Sequence, residues 1–201
     1  MLTFILLIVA YLIGSFSTAI LVCRLRGLPD PRTQGSQNAG ATNVLRLGGK
    51  SAATWVLVGD LGKGLLAVGL ARLLGVSDLA LGFVGLAAVL GHIFPIFYQL
   101  KGGKGVATAL GAMIGLNVIL GAVVALIWLA IAKFSRYASA ASLIALLCAP
   151  WLSLLITNKP YFIPLFMISL LVLLMHWSNI TRLIEGSESK IDSNHDKNDP
   201  S

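Results

Sequence analysis

Charge is scarce in this sequence: only 11% of its 201 residues are Asp, Glu, Lys or Arg, less than half the share found in ordinary soluble domains. With 57% hydrophobic residues, that scarcity excludes a water-soluble globule. Cysteine is nearly absent. Cys23 and Cys148 stand far apart, so they suggest neither a disulfide framework nor a zinc site and read as packing residues. Other signatures are missing as well. There is no GxSxG nucleophile elbow and no HExxH zinc helix, and no self-similar period is visible along the chain. Acidic residues are the scarcer sign, 8 against 15 Lys and Arg for a net charge of +7. On a membrane protein that excess bears on topology and on anionic ligands; nucleic acid is not an expected partner.

What the chain does have is long apolar runs, at about 2–23, 51–74, 79–100, 105–132, 138–157 and 160–177, where a spanning helix needs about 20 residues. The reading is all-α, a polytopic membrane helix bundle. No Lys or Arg precedes the first run and no small-residue cleavage pattern follows it, so it reads as a retained first helix rather than a signal peptide. Its Gly14, Ser15, Ser17 and Thr18 read as a helix-packing face. The cations Arg24, Arg26, Arg32, Arg46 and Lys50, then Lys101 and Lys104, then Arg182, Lys190 and Lys197, all belong on the cytoplasmic side. A chain that starts outside and ends inside needs an odd number of spans, and six runs do not supply it. The run 105–132 is too long for one upright helix and contains Gly115, Leu116 and Asn117, turn-forming types around one apolar residue. Splitting it there predicts seven transmembrane helices, with the N-terminus outside and the C-terminus cytoplasmic. Short half-spans are tolerated where their ends are packed in protein or line a cavity. The membrane domain covers 1–185, and 186–201, rich in Ser, Asp, Asn and Lys, reads as a disordered cytoplasmic tail.

Three polar stretches gather at the cytoplasmic side. The first is GSQNAGATNVLR, 35–46, where small residues allow close backbone approach, hydroxyl and amide side chains offer hydrogen bonds, and Arg46 can grip a phosphate in bidentate fashion. The second is GHIFP, 91–95, followed by KGGKGVAT, 101–108. A glycine-rich turn carrying two lysines at a helix N-terminus forms an anion site. It is not a Walker A loop, because Gly105 follows Lys104 where Ser or Thr is required, so nucleotide hydrolysis is not supported. The third is HWSNITRLIEGSE, 176–188, in which His176 and Asn179 share a helix face and Arg182 lies nearly a turn on. Within the second span, Asp60 and Lys63 are three apart and should pair, since a lone charge at mid-bilayer costs about 2.5 to 3.5 kcal/mol or more. None of the histidines precedes an Asp by five positions, which removes the histidine–aspartate signature of the commoner glycerolipid acyltransferases.

Together the three stretches, with smaller echoes in Asp60-Leu-Gly-Lys63-Gly64 and Arg136-Tyr137-Ala-Ser139-Ala-Ala-Ser142, resemble the bacterial acyl-phosphate:glycerol-3-phosphate acyltransferases, over nearly the whole chain except the tail. The resemblance implies seven spans in the cytoplasmic (inner) membrane with the active site on the cytoplasmic side. It also implies transfer of a fatty acyl group from acyl phosphate to the 1-hydroxyl of glycerol 3-phosphate, giving lysophosphatidic acid and inorganic phosphate, without a covalent acyl-enzyme. By motif position, Ser36, Arg46, Lys104, His176 and Asn179 look like the catalytic and phosphate-binding set. Gly102, Gly103 and Gly105 look like the loop that holds glycerol 3-phosphate, with Asn38, Asn43, His92 and Ser142 as further substrate-binding candidates. Asp60, Lys63 and Glu188 are structural candidates. Trp177-Ser178 departs from the family, which more often has a basic and then an acidic residue there. No metal and no cofactor is expected; the partners are acyl phosphate, glycerol 3-phosphate and membrane lipid, and a monomer suffices. The hydroxyl proton goes to a phosphate oxygen of a substrate, with His176 as hydrogen-bond donor and positioner. The rival class is a transporter of small phosphorylated anions, which fits the charge but not the small size, the lack of a repeat or the crowding of polar residues at one side.

Overall fold

The computed structural model describes residues 1–157 and 159–191. Within them every regular element is a helix. The first apolar run is not one helix but two, α1 (Leu2–Gly14) and α2 (Thr18–Leu25). The break arises at Ser15 and Ser17, whose hydroxyls compete for backbone groups: Ser15 Oγ donates to Tyr11 O at 2.8 Å, and Ser17 Oγ accepts from Ile20 N at 3.4 Å as the N-cap of α2. A broken helix inside a membrane must have its freed carbonyls satisfied. Lys63 does so, donating from Nζ to Phe16 O at 3.0 Å. The small-residue stretch expected to be a packing face packs at Gly14, where a Cβ would collide with Ala88 O, at Ser15, whose amide lies against Gly91, and at Thr18, which lies against Gly59, and it also holds the helix break.

Next comes α3 (Ala41–Leu73), kinked at Gly49, and then α4 (Asp78–Ile93) with a short 3-10 turn at Ile96–Tyr98. The run 105–132 is divided into α5 (Val106–Leu116) and α6 (Val118–Ser135). Asn117 makes the division, its side-chain oxygen accepting from Leu120 N at 2.9 Å as the N-cap of α6. The chain continues through α7 (Ala138–Ile156), α8 (Phe162–Met175) and α9 (Trp177–Ile184). By length and composition Leu2–Leu25, Asp78–Tyr98, α6 and α7 can each cross a bilayer, and α8 with α9 forms a further apolar stretch bent by 59°. The protein is thus a multi-pass membrane bundle.

Glycines bring the helices close, as membrane helix packing requires where no hydrophobic force between helices exists. A Cβ on Gly64 of α3 would strike Thr108 O of α5, and one on Gly111 of α5 would strike Leu61 O of α3. Gly91 of α4 approaches Tyr11 O of α1 in the same way. Val84, Val89, Met113, Leu120, Leu165 and Ile168 fill the centre. At the end remote from the three polar stretches, Arg72 donates to Leu116 O at 2.6 Å, capping the C-terminus of α5. Asp78 there takes Lys159 at 2.8 Å and the Tyr161 hydroxyl at 3.1 Å.

Candidate active site

The loop before α3 is shaped by one buried side chain. Asn43 donates from Nδ2 to Pro31 O at 2.8 Å and to Gln34 O at 3.0 Å, and its Oδ1 accepts from Ser36 N at 2.9 Å. Every polar atom of that amide is bound to the loop, so Asn43 positions Ser36 instead of presenting itself to a ligand. Ser36 lies exposed on the loop, and Asn38 is half-buried beside Gly40, the N-cap position of α3. Three residues after Asn43 on the first turns of α3, Arg46 reaches across to Ser189 O at 3.5 Å. Arg32, bound to Asp30 at 2.7 Å, also donates to Tyr98 O at 3.3 Å and ties this loop to the segment leading into the glycine turn.

That turn is clamped to the end of α4. Gly102 N donates to Ile93 O and Gly103 N to His92 O, both at 3.2 Å. These two amides are therefore committed, and the glycines serve close approach: a Cβ on Gly103 would collide with the His92 ring and lie 2.7 Å from Ala39 O. Gly105, with φ +85°, turns the chain into α5 in a conformation L side chains rarely adopt. The first-turn amides of α5 lack intrahelical acceptors and carry the positive end of the helix dipole. Lys104 projects beside them, its Nζ donating to Asn179 Oδ1 of α9. Burial pushes the Lys104 ammonium down to about 8, with Arg182 and Arg46 nearby adding to the shift and Glu188 opposing it.

The third stretch is organised around Glu188. Its Oε1 accepts from Ser139 Oγ and from Asn179 Nδ2, both at 2.6 Å, and its Oε2 accepts from Arg182 Nε at 2.7 Å. Burial would raise this carboxyl, but the three hydrogen bonds and the Arg182 charge outweigh it and hold the group below its ordinary range. Ser187 N and Glu188 N both donate to Arg182 O, and Ile191 N donates to Arg136 O at 2.9 Å. The described part of the segment read as a tail, 186–191, thus folds back on the site; 192–201 lies outside the described residues. His176, buried at the junction of α8 and α9, faces Val172 O with Nδ1 at 2.8 Å. A carbonyl only accepts, so Nδ1 carries the proton. Burial and the Lys104 charge push the imidazole down to about 4, which leaves a neutral ring with Nε2 as an acceptor. With Nδ1–H spent on Val172 O, a neutral His176 meets substrate through Nε2 as an acceptor, unlike the donor role that the resemblance implies.

The structure brings Arg46, Lys104, His176, Asn179 and Glu188 to one end of the bundle, with Ser36 on the adjoining loop. Ser142 stands apart from them: its hydroxyl donates to Ala138 O at 2.7 Å and accepts from Trp128 Nε1 at 3.0 Å. Ser139, one turn earlier on α7, is the serine that reaches Glu188, and sequence reasoning missed it. Asp60, Lys63 and His92 lie deeper. Asp60 Oδ1 pairs with Lys63 at 3.0 Å and accepts from Thr18 Oγ1 at 3.0 Å.

An all-helical membrane bundle whose broken and bent helices crowd cations, amides and a neutral imidazole at one end is a membrane protein built to handle anions. The profile of the glycerol-3-phosphate acyltransferase family matches residues 4–186, and the chain belongs to that family. It is 47% identical over 185 residues to the glycerol-3-phosphate acyltransferase of Coxiella burnetii (strain Dugway 5J108-111), covering 92% of this chain and 96% of the relative. It is 51% identical over 191 residues to that of Legionella pneumophila (strain Corby), covering 94% of this chain and 69% of the relative. The fold is similar to crystal structures of PlsY, an integral membrane glycerol 3-phosphate acyltransferase. The glycerol 3-phosphate form matches with a TM-score of 0.88 at 37% identity, covering 94% of each chain. The lysophosphatidic acid form matches with a TM-score of 0.87 at 36% identity over the same shares.

Proposed function

We propose that this protein transfers a fatty acyl group from acyl phosphate to the 1-hydroxyl of glycerol 3-phosphate, giving lysophosphatidic acid and inorganic phosphate. The observation that carries the reading is the meeting of Lys104 with Asn179 beside Arg46, His176 and the first turn of α5. An acyl phosphate is already an activated mixed anhydride, so no protein nucleophile is required, and among the described residues no Ser or Cys is hydrogen-bonded to a histidine. What the reaction needs is two anions held close, charge stabilised on the departing phosphate and on the carbonyl oxygen, and water kept out.

In this scheme the α5 amides with Lys104 and Arg46 bind phosphate groups, and Ser36 adds a hydroxyl from the loop that Asn43 shapes. His176 Nε2 accepts a hydrogen bond from the glycerol hydroxyl and points its oxygen at the carbonyl carbon. The new ester bond forms as the carbonyl–phosphate bond breaks. The hydroxyl proton ends on a phosphate oxygen, since an imidazole held to about 4 is a poor final acceptor. Asn38 and Gly105 line the approach, while Gly102 and Gly103 let the turn lie against α4.

The same reading places seven spans in the bacterial cytoplasmic membrane: α1 with α2, then α3 to α8 one apiece. The N-terminus is outside, and the site and C-terminus are cytoplasmic. The positive-inside rule and the division at Asn117 support it. A working monomer belongs to the same reading. The donor is tested by offering the purified protein acyl phosphate and acyl-CoA separately with glycerol 3-phosphate: product forms with acyl phosphate alone, and equal use of acyl-CoA overturns the donor assignment. Flux of glycerol 3-phosphate into liposomes without any acyl donor would favour the transport reading.

A further inference from the structure

His92 holds a place that the acyl-transfer scheme does not use. It is 6% exposed, in the last turn of α4. Its Nδ1 faces Asp60 Oδ1 across a long contact of 3.5 Å and has no other partner among the described residues. Its opposite edge, Nε2 and Cε1, fills the space where a side chain on Gly103 would otherwise stand. The ring thus spans the gap between a buried carboxylate of α3 and the backbone of the glycine turn.

The carboxylate is itself anchored. Asp60 accepts from Thr18 Oγ1 and Lys63 Nζ, each at 3.0 Å, and Lys63 also donates to Phe16 O in the break between α1 and α2. Two helices, α2 and α3, and the break before α2 therefore fix the carboxylate that the imidazole faces, while His92 O and Ile93 O fix the turn from the side through Gly103 N and Gly102 N. Lys104 is the next residue after the clamped pair, and its ammonium meets Asn179 across the site. A turn that settled toward α4 would carry Lys104 and the first amides of α5 away from that meeting point. Interiors are close-packed, so a spacer of the wrong length displaces whatever rests on it.

We infer that His92 is a positioning residue: its imidazole, oriented by Asp60, sets the height of the glycine turn and thereby the affinity for the phosphate of glycerol 3-phosphate. This rests on the proposal that the turn and α5 receive that phosphate. The test compares KM and kcat for glycerol 3-phosphate at saturating acyl phosphate in His92→Ala, His92→Asn, His92→Gln and Gly103→Ala. Asn keeps a polar nitrogen where Nδ1 faces Asp60 but withdraws from the turn; Gln extends its amide nitrogen to the place of Nε2. The expected result is a rise of about tenfold or more in KM for glycerol 3-phosphate in His92→Ala and His92→Asn, with kcat and KM for acyl phosphate changed little. His92→Gln restores KM to within about threefold of the wild type. A His92 needed only for folding would lower the yield of active protein in all three variants without separating KM from kcat. Equal KM values in His92→Asn and His92→Gln overturn the inference, and do so even where His92→Ala fails to fold. If Gly103→Ala raises KM while the His92 variants do not, the inference alone falls; if Gly103→Ala leaves KM unchanged, the phosphate-turn reading falls with it.

Discussion

Lys104 of the glycine turn donates to Asn179 of α9, a hydrogen bond that joins two segments lying 75 positions apart in the chain. It closes the site, because Asn179 is held by Glu188, which also takes Ser139 and Arg182. The ammonium is thereby aimed without being neutralised directly by a carboxylate.

Removing the cation tests its part in catalysis. Lys104→Ala and Arg46→Ala should each lower the rate of acyl transfer by on the order of 100-fold to 1000-fold, the loss typical of one well-placed donor. Both variants should retain wild-type thermal stability in detergent, since Arg46 is half-exposed and Lys104 is partly desolvated. Retention of most activity in either removes it from the site.

The pH dependence follows from the same lysine. The group is held to about 8 in the free protein, so it is protonated below that value and loses its charge above it. The anion site is therefore intact at lower pH and fades on the alkaline side, and kcat/KM should fall as pH rises through about 8. In Lys104→Arg the residual activity should lack this limb, because arginine stays charged. An unchanged alkaline limb in that variant assigns the titration elsewhere.

Glu188→Ala should unbind three donors at once. Each buried group left unsatisfied costs about 1 to 3 kcal/mol, discounted for Arg182, which is 39% exposed and can turn to water. The variant should melt several degrees lower and lose activity as Asn179 is released. In the wild type the folded carboxyl titrates below its ordinary 4.5, so its stabilisation is complete above that value and is lost as pH falls through the folded one. Ser139→Ala should show a milder form of the same defect, about tenfold in rate, the size of one hydrogen bond. Ser142→Ala, whose hydroxyl serves Trp128 and Ala138, should change the rate less than Ser139→Ala.

Inside the bundle, Asp60→Leu should destabilise by about 3 to 5 kcal/mol because it leaves Lys63 buried without its partner. Adding Lys63→Leu should recover much of that loss in thermal unfolding, with Phe16 O left to seek another donor. No recovery in the double variant would show that the lysine matters chiefly to the carbonyl in the break.

Much of this architecture is legible in the chain. The division of 105–132 could be placed because the run is too long for one span and holds the turn-forming stretch Gly115-Leu116-Asn117, and the structure turns there, with Asn117 as the cap. The break in the first run could not, since Ser15 and Ser17 look the same as helix-packing residues until Lys63 is seen taking Phe16 O. Charge and spacing mark the polar stretches that hold Arg46, Lys104, His176 and Asn179, while their grouping as one catalytic set comes from the resemblance to the family. Asn43 looked like a ligand contact because an amide in a glycine-rich loop says nothing of the carbonyls it will meet after the chain folds back. Ser139 and Ser142 are one turn apart on α7, and only the return of 186–188 to that face distinguishes them.

A topology reporter fused after Ile191 should read cytoplasmic, and a periplasmic signal contradicts the odd number of spans.

The most direct measurement is a single-turnover reaction of the purified protein with acyl phosphate and glycerol 3-phosphate, following inorganic phosphate and lysophosphatidic acid together. The account predicts that both appear at the same rate and in equal amounts in the wild type, and neither above background in Lys104→Ala. Phosphate released before glycerol 3-phosphate is added would reveal an acyl-enzyme, and full turnover without Lys104 would place the chemistry elsewhere in the molecule.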